Sequence, residues 1–256
     1  MGKQPTLAQK LGAEVLGTAL LVLIGAGSVT ATVTVDKTVP FSETQLGVIA
    51  LAFAFIIMAM VYTIGKVSGC QINPAISIAL SLTGRQAWTD TVMYIVAQFI
   101  GAIIGALAIV ALFGTGAVTG AGLGVTSFAD STPVIQAVFA EAIGTFILVF
   151  TVYGIAVDPR APAGWAGLVI GLIVAGVIYV VGPVTGASLN PARTFGPVLI
   201  QALFGGKQFW GQYWVYVVGP VVGAALGAFA YDFLASPKAA TTAAEVPVEA
   251  TEKVKA

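Results

Sequence analysis

One unit is written twice along this chain. Ala13-Glu14-Val15-Leu16-Gly17-Thr18 returns as Ala140-Glu141-Ala142-Ile143-Gly144-Thr145 at an offset of 127. Ser68-Gly69-Cys70-Gln71-Ile72-Asn73-Pro74-Ala75 returns as Thr185-Gly186-Ala187-Ser188-Leu189-Asn190-Pro191-Ala192 at 117, and Gly101 and Gly105 return as Gly219 and Gly223 at 118. Each copy carries three apolar stretches, 11–33, 44–64 and 90–113, then 133–157, 164–181 and 211–234. Each approaches the ~20 residues needed to cross a hydrocarbon core of roughly 30 Å. Three is odd, so the second copy must enter the membrane upside down relative to the first. The fold class that follows is an all-α membrane protein of six transmembrane helices in an inverted three-span repeat, with its pseudo-symmetric centre near the bilayer midplane. Composition agrees: 58% of residues are hydrophobic and 9% charged, against roughly 25% charged in a soluble globule.

At that centre stands Asn-Pro-Ala, twice: Asn73, Pro74, Ala75 and Asn190, Pro191, Ala192. Each box opens an apolar run too short to span, 75–82 and 192–203. Asn is a strong N-cap and Pro is favoured at the first helical position, so each box predicts the start of a re-entrant half-helix. The two enter from opposite faces. Backbone outside helical geometry survives at that depth only when buried in protein or lining a water-filled cavity, and Ser68-Gly69 and Thr185-Gly186 suit such loops. Arg193, directly after the second box, is predicted to face a wet lumen, since a cation buried without a partner costs several kcal/mol. Glu14 and Glu141 are the acidic residues deep within spans. They can serve as a proton relay or accept hydrogen bonds from irregular backbone beside the half-helices; their repeat-equivalent positions favour the second role.

Charge sets orientation and organisation. Lys3, Lys10, Lys66, Arg85, Arg160, Lys238, Lys253 and Lys255 fall on one side of the six spans, and Lys37 and Lys207 on the other. This bias predicts both termini in the cytoplasm. Lys66 and Arg85 read as solvated surface charges on that side. The expected organisation is a cytoplasmic N-terminus at 1–10, a channel domain over 11–234 with repeats at 11–113 and 133–234, and a disordered cytoplasmic tail at 235–256. The stretch from Gly114 to Pro133 reads as punctuation between the copies.

Doubled Asn-Pro-Ala boxes, Ala-Glu-x-x-Gly-Thr openings on spans one and four, and Asn190-Pro191-Ala192-Arg193 together resemble the aquaporin and glycerol-facilitator family of major intrinsic proteins, over about residues 11–234. The resemblance implies a passive channel for water and small neutral solutes such as glycerol, a homotetramer with one pore per subunit, and a plasma-membrane location without a cofactor. It also implies a selectivity filter of Phe53, Ile178, Ala187 and Arg193: twenty residues before Asn73, and twelve before, three before and three after Asn190. Here the chain departs from both familiar patterns. Strict water channels of the family carry His where this chain has Ile178, which implies a wider ring, less polar on that side. Glycerol facilitators carry a bulkier aromatic pair and an Asp after the Arg, where this chain has Phe53, the small Ala187 and Thr194.

Other classes lose their chemistry. Lys+Arg and Asp+Glu both number 11, so no basic excess exists to hold nucleic acid. With no His and the single Cys70, neither a metal-ligand set nor a nucleophile with its base can be assembled, which argues against an enzyme. Cys70 reads as a small residue in a tight loop. A secondary transporter would share the inverted repeat but needs more ion-binding groups than two deep carboxylates and Arg193.

Overall fold

The computed structural model describes residues 4–36 and 42–235. The expected tail from 236 onward lies outside these, as do Lys3 and Lys37. Among the described residues, six helices are long and apolar enough to cross a membrane. They are α1 (Leu7–Val35), α2 (Glu43–Ser68), α4 (Trp88–Phe113), α5 (Val134–Val157), α6 (Ala166–Thr185) and α8 (Trp210–Ala235). The half-helices are α3 (Pro74–Leu82) and α7 (Pro191–Leu203). Among the described residues the chain is all-helical apart from turns and loops.

The ends of these helices follow from local chemistry. α1 begins four residues before the apolar pattern because Thr6 caps it. Its hydroxyl accepts the Gln9 N–H while the Gln9 side chain accepts the Thr6 N–H. Ser42 and Gln45 repeat the device on α2. α2 also runs past the predicted stop at 64, through Lys66, because what ends it is Gly69 at φ 87, a left-handed position that suits glycine. Gly186, at φ 82, ends α6 in the same way. α1 and α5 each contain a π-helical turn, at Val22–Ala26 and Tyr153–Val157.

Packing makes the repeat visible. Within each copy the first span lies on the last, α1 on α4 and α5 on α8, while α2 and α6 pair across the copies. Each half-helix sits against the last span of the other copy, α3 on α8 and α7 on α4. The glycine pairs lie in these seams. A Cβ on Gly105 would fall 2.4 Å from the Ala19 carbonyl oxygen, and one on Gly223 2.0 Å from that of Ala142. The Gly-x-x-x-Gly faces therefore serve close packing inside the chain.

Arg85 is the exposed surface charge expected, and it is also paired. It forms a bidentate pair with Asp232 at 2.7 and 2.8 Å and lies 4.9 Å over the Tyr153 ring. Beside it, Asp158 accepts from the Arg160 backbone N–H at 2.8 Å, from its Nε at 2.9 Å and from the Tyr231 hydroxyl at 2.7 Å. Arg160 also donates to the Ala235 carbonyl. These contacts clamp the ends of α3, α5 and α8 on the face where α1 begins and α8 ends. Sequence spacing could not reveal the Arg85 pair, whose partner lies 147 residues away.

Two predictions follow from these seams and clamps. Gly223→Ala should force α5 and α8 apart and lower stability by about 1–3 kcal/mol, read as a reduced melting temperature of the purified protein in detergent. The Arg160 guanidinium holds the Asp158 carboxyl well below the usual carboxylate range. A depressed carboxylate contributes stability above its unfolded-state value and loses it only as pH falls through the folded one. Asp158→Asn should thus lower the melting temperature by the same amount at pH 8 and pH 5, with the difference shrinking only in stronger acid.

Candidate functional site

The site is built where the two half-helices meet head to head. Asn73 caps α3, its side-chain oxygen accepting the Ala75 N–H at 2.9 Å. Asn190 caps α7 by accepting the Ala192 and Arg193 N–H groups at 3.0 and 3.1 Å. Each amide nitrogen then crosses to the other copy. Asn73 Nδ2 donates to the Leu189 carbonyl and Asn190 Nδ2 to the Ile72 carbonyl, both at 2.8 Å. An amide nitrogen carries two hydrogens, so each Asn keeps one N–H beyond these bonds. Pro74 and Pro191 stand at the first helical positions, and Ala75 and Ala192 are fully buried behind them.

The backbone leading into each box is bent into unusual conformations. Cys70 and Ile72 have φ of 48 and 41, and their counterparts Ala187 and Leu189 have 46 and 56. Such values are uncommon for residues with a side chain. The buried carboxylates hold this backbone in place. Glu14 accepts the Gln71 N–H at 2.9 Å, the Ile72 N–H at 2.6 Å, the Ser68 hydroxyl at 2.7 Å and the Gln98 amide at 2.9 Å. Glu141 accepts the Ser188 N–H at 3.0 Å, the Leu189 N–H at 2.8 Å and the Thr185 hydroxyl at 2.6 Å. Both are fully buried, and their oxygens are occupied by these donors.

Three cavities adjoin one another around this centre, each sharing wall residues with the next. The innermost, of about 200 Å³, reaches from Val61 and Val157 to Asn73 and Asn190 and includes Cys70 in its wall. The middle one, of about 40 Å³, shares both asparagines and extends to Phe53, Ile178, Ala187 and Arg193. The outer one, of about 90 Å³, shares Phe53, Ile178 and Arg193 and is also walled by Leu46 and Thr126. Phe53, Ile178 and Arg193 therefore stand where the middle and outer cavities meet, with Ala187 on the middle side. The Phe53 ring lies against Gly25 in the π-turn of α1, where a Cβ would come within 2.3 Å of it.

The Arg193 guanidinium carbon lies 5.1 Å from the Phe53 ring centre, and its Nη1 donates to the Gly124 carbonyl at 2.8 Å. Its Nε has no partner among the described residues. Gly124 belongs to the stretch read from sequence as punctuation. That stretch forms a short helix, Gly116–Thr119, then a tight turn that tucks Leu123 into the interior. Gly124 sits at φ 64, and a Cβ there would strike the Ala26 carbonyl at 2.3 Å. The density of glycine in Gly120-Ala121-Gly122-Leu123-Gly124 is the signal that could have marked a built loop. Gln98 and Tyr216 were likewise missed: Gln98 reaches Glu14, and the Tyr216 hydroxyl donates to the Thr185 carbonyl at 2.8 Å.

An inverted-repeat membrane protein with adjoining cavities around its centre is the class that fold and site define. A family model for the major intrinsic proteins matches residues 1–231, and the chain belongs to that family. It is 43% identical to "Aquaporin AqpM" of Methanothermobacter marburgensis over 244 residues, covering 90% of this chain and 99% of that protein. It is 45% identical to "Probable aquaporin AqpM" of Archaeoglobus fulgidus over 245 residues, covering 90% and 98%. The fold matches the crystal structure of the aquaglyceroporin from Plasmodium falciparum with a TM-score of 0.81 at 24% identity, over 91% of this chain and 98% of that one.

Glu14→Gln tests the carboxylate. The new amide nitrogen must face a donor, either the Ile72 and Gln98 groups or those of Ser68 and Gln71, a mismatch of about 1–3 kcal/mol. The variant should give lower yield and a lower melting temperature, while the flux per inserted molecule keeps the pH profile of the unmodified protein.

Proposed function

We propose that this chain is a passive channel for water that also passes small uncharged solutes such as glycerol and rejects protons and ions. The observation that carries this reading is the succession of three cavities, two of which share the paired asparagines in their walls and two of which share Phe53, Ile178 and Arg193. Relatives named aquaporins, similar over almost their whole length, support it.

The selectivity follows from charge at two levels, by the general account of aquaporin-type selectivity applied to these residues. Each half-helix brings roughly half a positive charge to its N-terminus, and two such termini meeting at the centre oppose cations. A water that takes an N–H from each of Asn73 and Asn190 through its oxygen is badly oriented to pass a proton onward. At the filter of Phe53, Ile178, Ala187 and Arg193, the free donors of the guanidinium face a wall that is otherwise apolar. Ile178 and Ala187 leave room for a carbon chain opposite Arg193, which suits a small polyol as well as water. Glu14 and Glu141 are scaffolding in this reading, since a proton relay needs a carboxylate oxygen open to the lumen. The channel is not an enzyme. It works as a homotetramer with one pore per subunit, in the plasma membrane, with both termini in the cytoplasm, as the Lys and Arg bias favours.

The test is stopped-flow light scattering on proteoliposomes. With an impermeant osmolyte they should shrink much faster than protein-free vesicles, and with a glycerol gradient they should shrink and then re-swell. Water flux equal to that of empty vesicles would overturn the reading; fast shrinkage without re-swelling would restrict it to water.

A further inference from the structure

The constriction is formed by one repeat far more than the other, and a chain of three hydroxyls links its wall to the outer loop, residues 114–133. Thr126, two residues after the carbonyl that holds Arg193, bonds the Thr194 hydroxyl at 2.8 Å. Thr194 bonds the Ser188 hydroxyl, and Ser188 donates to the Asn190 carbonyl at 2.9 Å. Each hydroxyl has one proton, and three bonds use three protons if Thr126 donates to Thr194, Thr194 to Ser188 and Ser188 to the carbonyl. All three residues are buried, Thr194 completely. Thr126 lines the outer cavity and Ser188 the middle one, so the chain passes behind the constriction from one to the other. Thr126 also packs on Gly186, where a Cβ would come within 3.0 Å of its methyl carbon.

In repeat one the matching positions are Gln71 and Ser77, joined at 2.6 Å. Their network continues to Gln86 and Thr91, away from the outer loop. Only the copy that supplies Ala187 and Arg193 is tied to that loop by this route.

We propose that Thr126, Thr194 and Ser188 are positioning residues that fix the spacing between the outer loop and the 186–189 strand, and so set which neutral solutes pass the constriction. Glu141 restrains that strand through its N–H groups from one side. The hydroxyl chain restrains it from the side of α7. Without the chain, Ala187 is free to withdraw from Arg193, and the opening widens toward larger solutes. This rests on the channel reading above.

Water and glycerol permeabilities are measured on the same proteoliposomes for the unmodified chain, Thr194→Val, Thr126→Val and Thr194→Ser, each normalised to inserted protein. The two valine variants should raise the glycerol-to-water ratio about fivefold, and Thr194→Ser, which keeps the hydroxyl, should hold the original ratio. If Thr194→Val does not insert, Thr126→Val at the end of the chain decides. A ratio unchanged in the valine variants, or raised equally in Thr194→Ser, would overturn the proposal. Unmodified protein with no flux above protein-free vesicles would instead sink the channel reading.

Discussion

Backbone N–H groups in the middle of a bilayer have no water to bond, and each one left open costs several kcal/mol. Two half-helices entering from opposite faces require two stretches of non-helical backbone at that depth, so everything here depends on how residues 69–72 and 186–189 are satisfied. Glu14 and Glu141 supply the answer from behind, each taking two consecutive N–H groups and a neighbouring hydroxyl. Holding the donors on that side leaves the other side of the strand to the lumen. The crossed amides of Asn73 and Asn190 then lock each strand to the opposite box. A carboxylate that would be costly alone in lipid is tolerated because it meets a concentrated set of donors.

The two copies solve the same problem with different residues. Glu14 has a fourth donor, Gln98; the residue 118 positions later is Tyr216, which bonds the Thr185 carbonyl instead. In repeat one the corresponding carbonyl of Ser68 is reached by Tyr94, one turn away from Gln98. The support is conserved in geometry while its residues have moved along the helix. Asymmetry is greater at the lumen, where Arg193 follows only the second box and the outer loop reaches only the second half-helix. A symmetric frame thus carries Arg193 and its loop contact on one side of its centre.

Much of this was legible in the sequence. Six spans followed from apolar length, inversion from the odd span count, and the half-helices from Asn and Pro at their starts. Helix ends were less legible, because α2 continues through Gly65 and Lys66, past the expected end at 64, and stops where the backbone turns left-handed at Gly69. Arg85 is exposed as expected, but its pairing was not legible, since its partner Asp232 lies 147 residues away on α8. The Gly114–Pro133 stretch looked like a connector, yet it supplies the carbonyl that holds Arg193.

The sequence by itself determined the repeat, its inversion and the pairing of two capped half-helices, because these rest on periodicity, length and local capping, which act between residues close along the chain. Only the tertiary structure decided which backbone each buried carboxylate satisfies, that Phe53, Ile178 and Arg193 share one junction between cavities, and that the outer loop closes over the guanidinium. Those are contacts between segments tens to more than a hundred residues apart. Their distances are set by how closely glycine seams let the helices approach, a quantity no local pattern encodes.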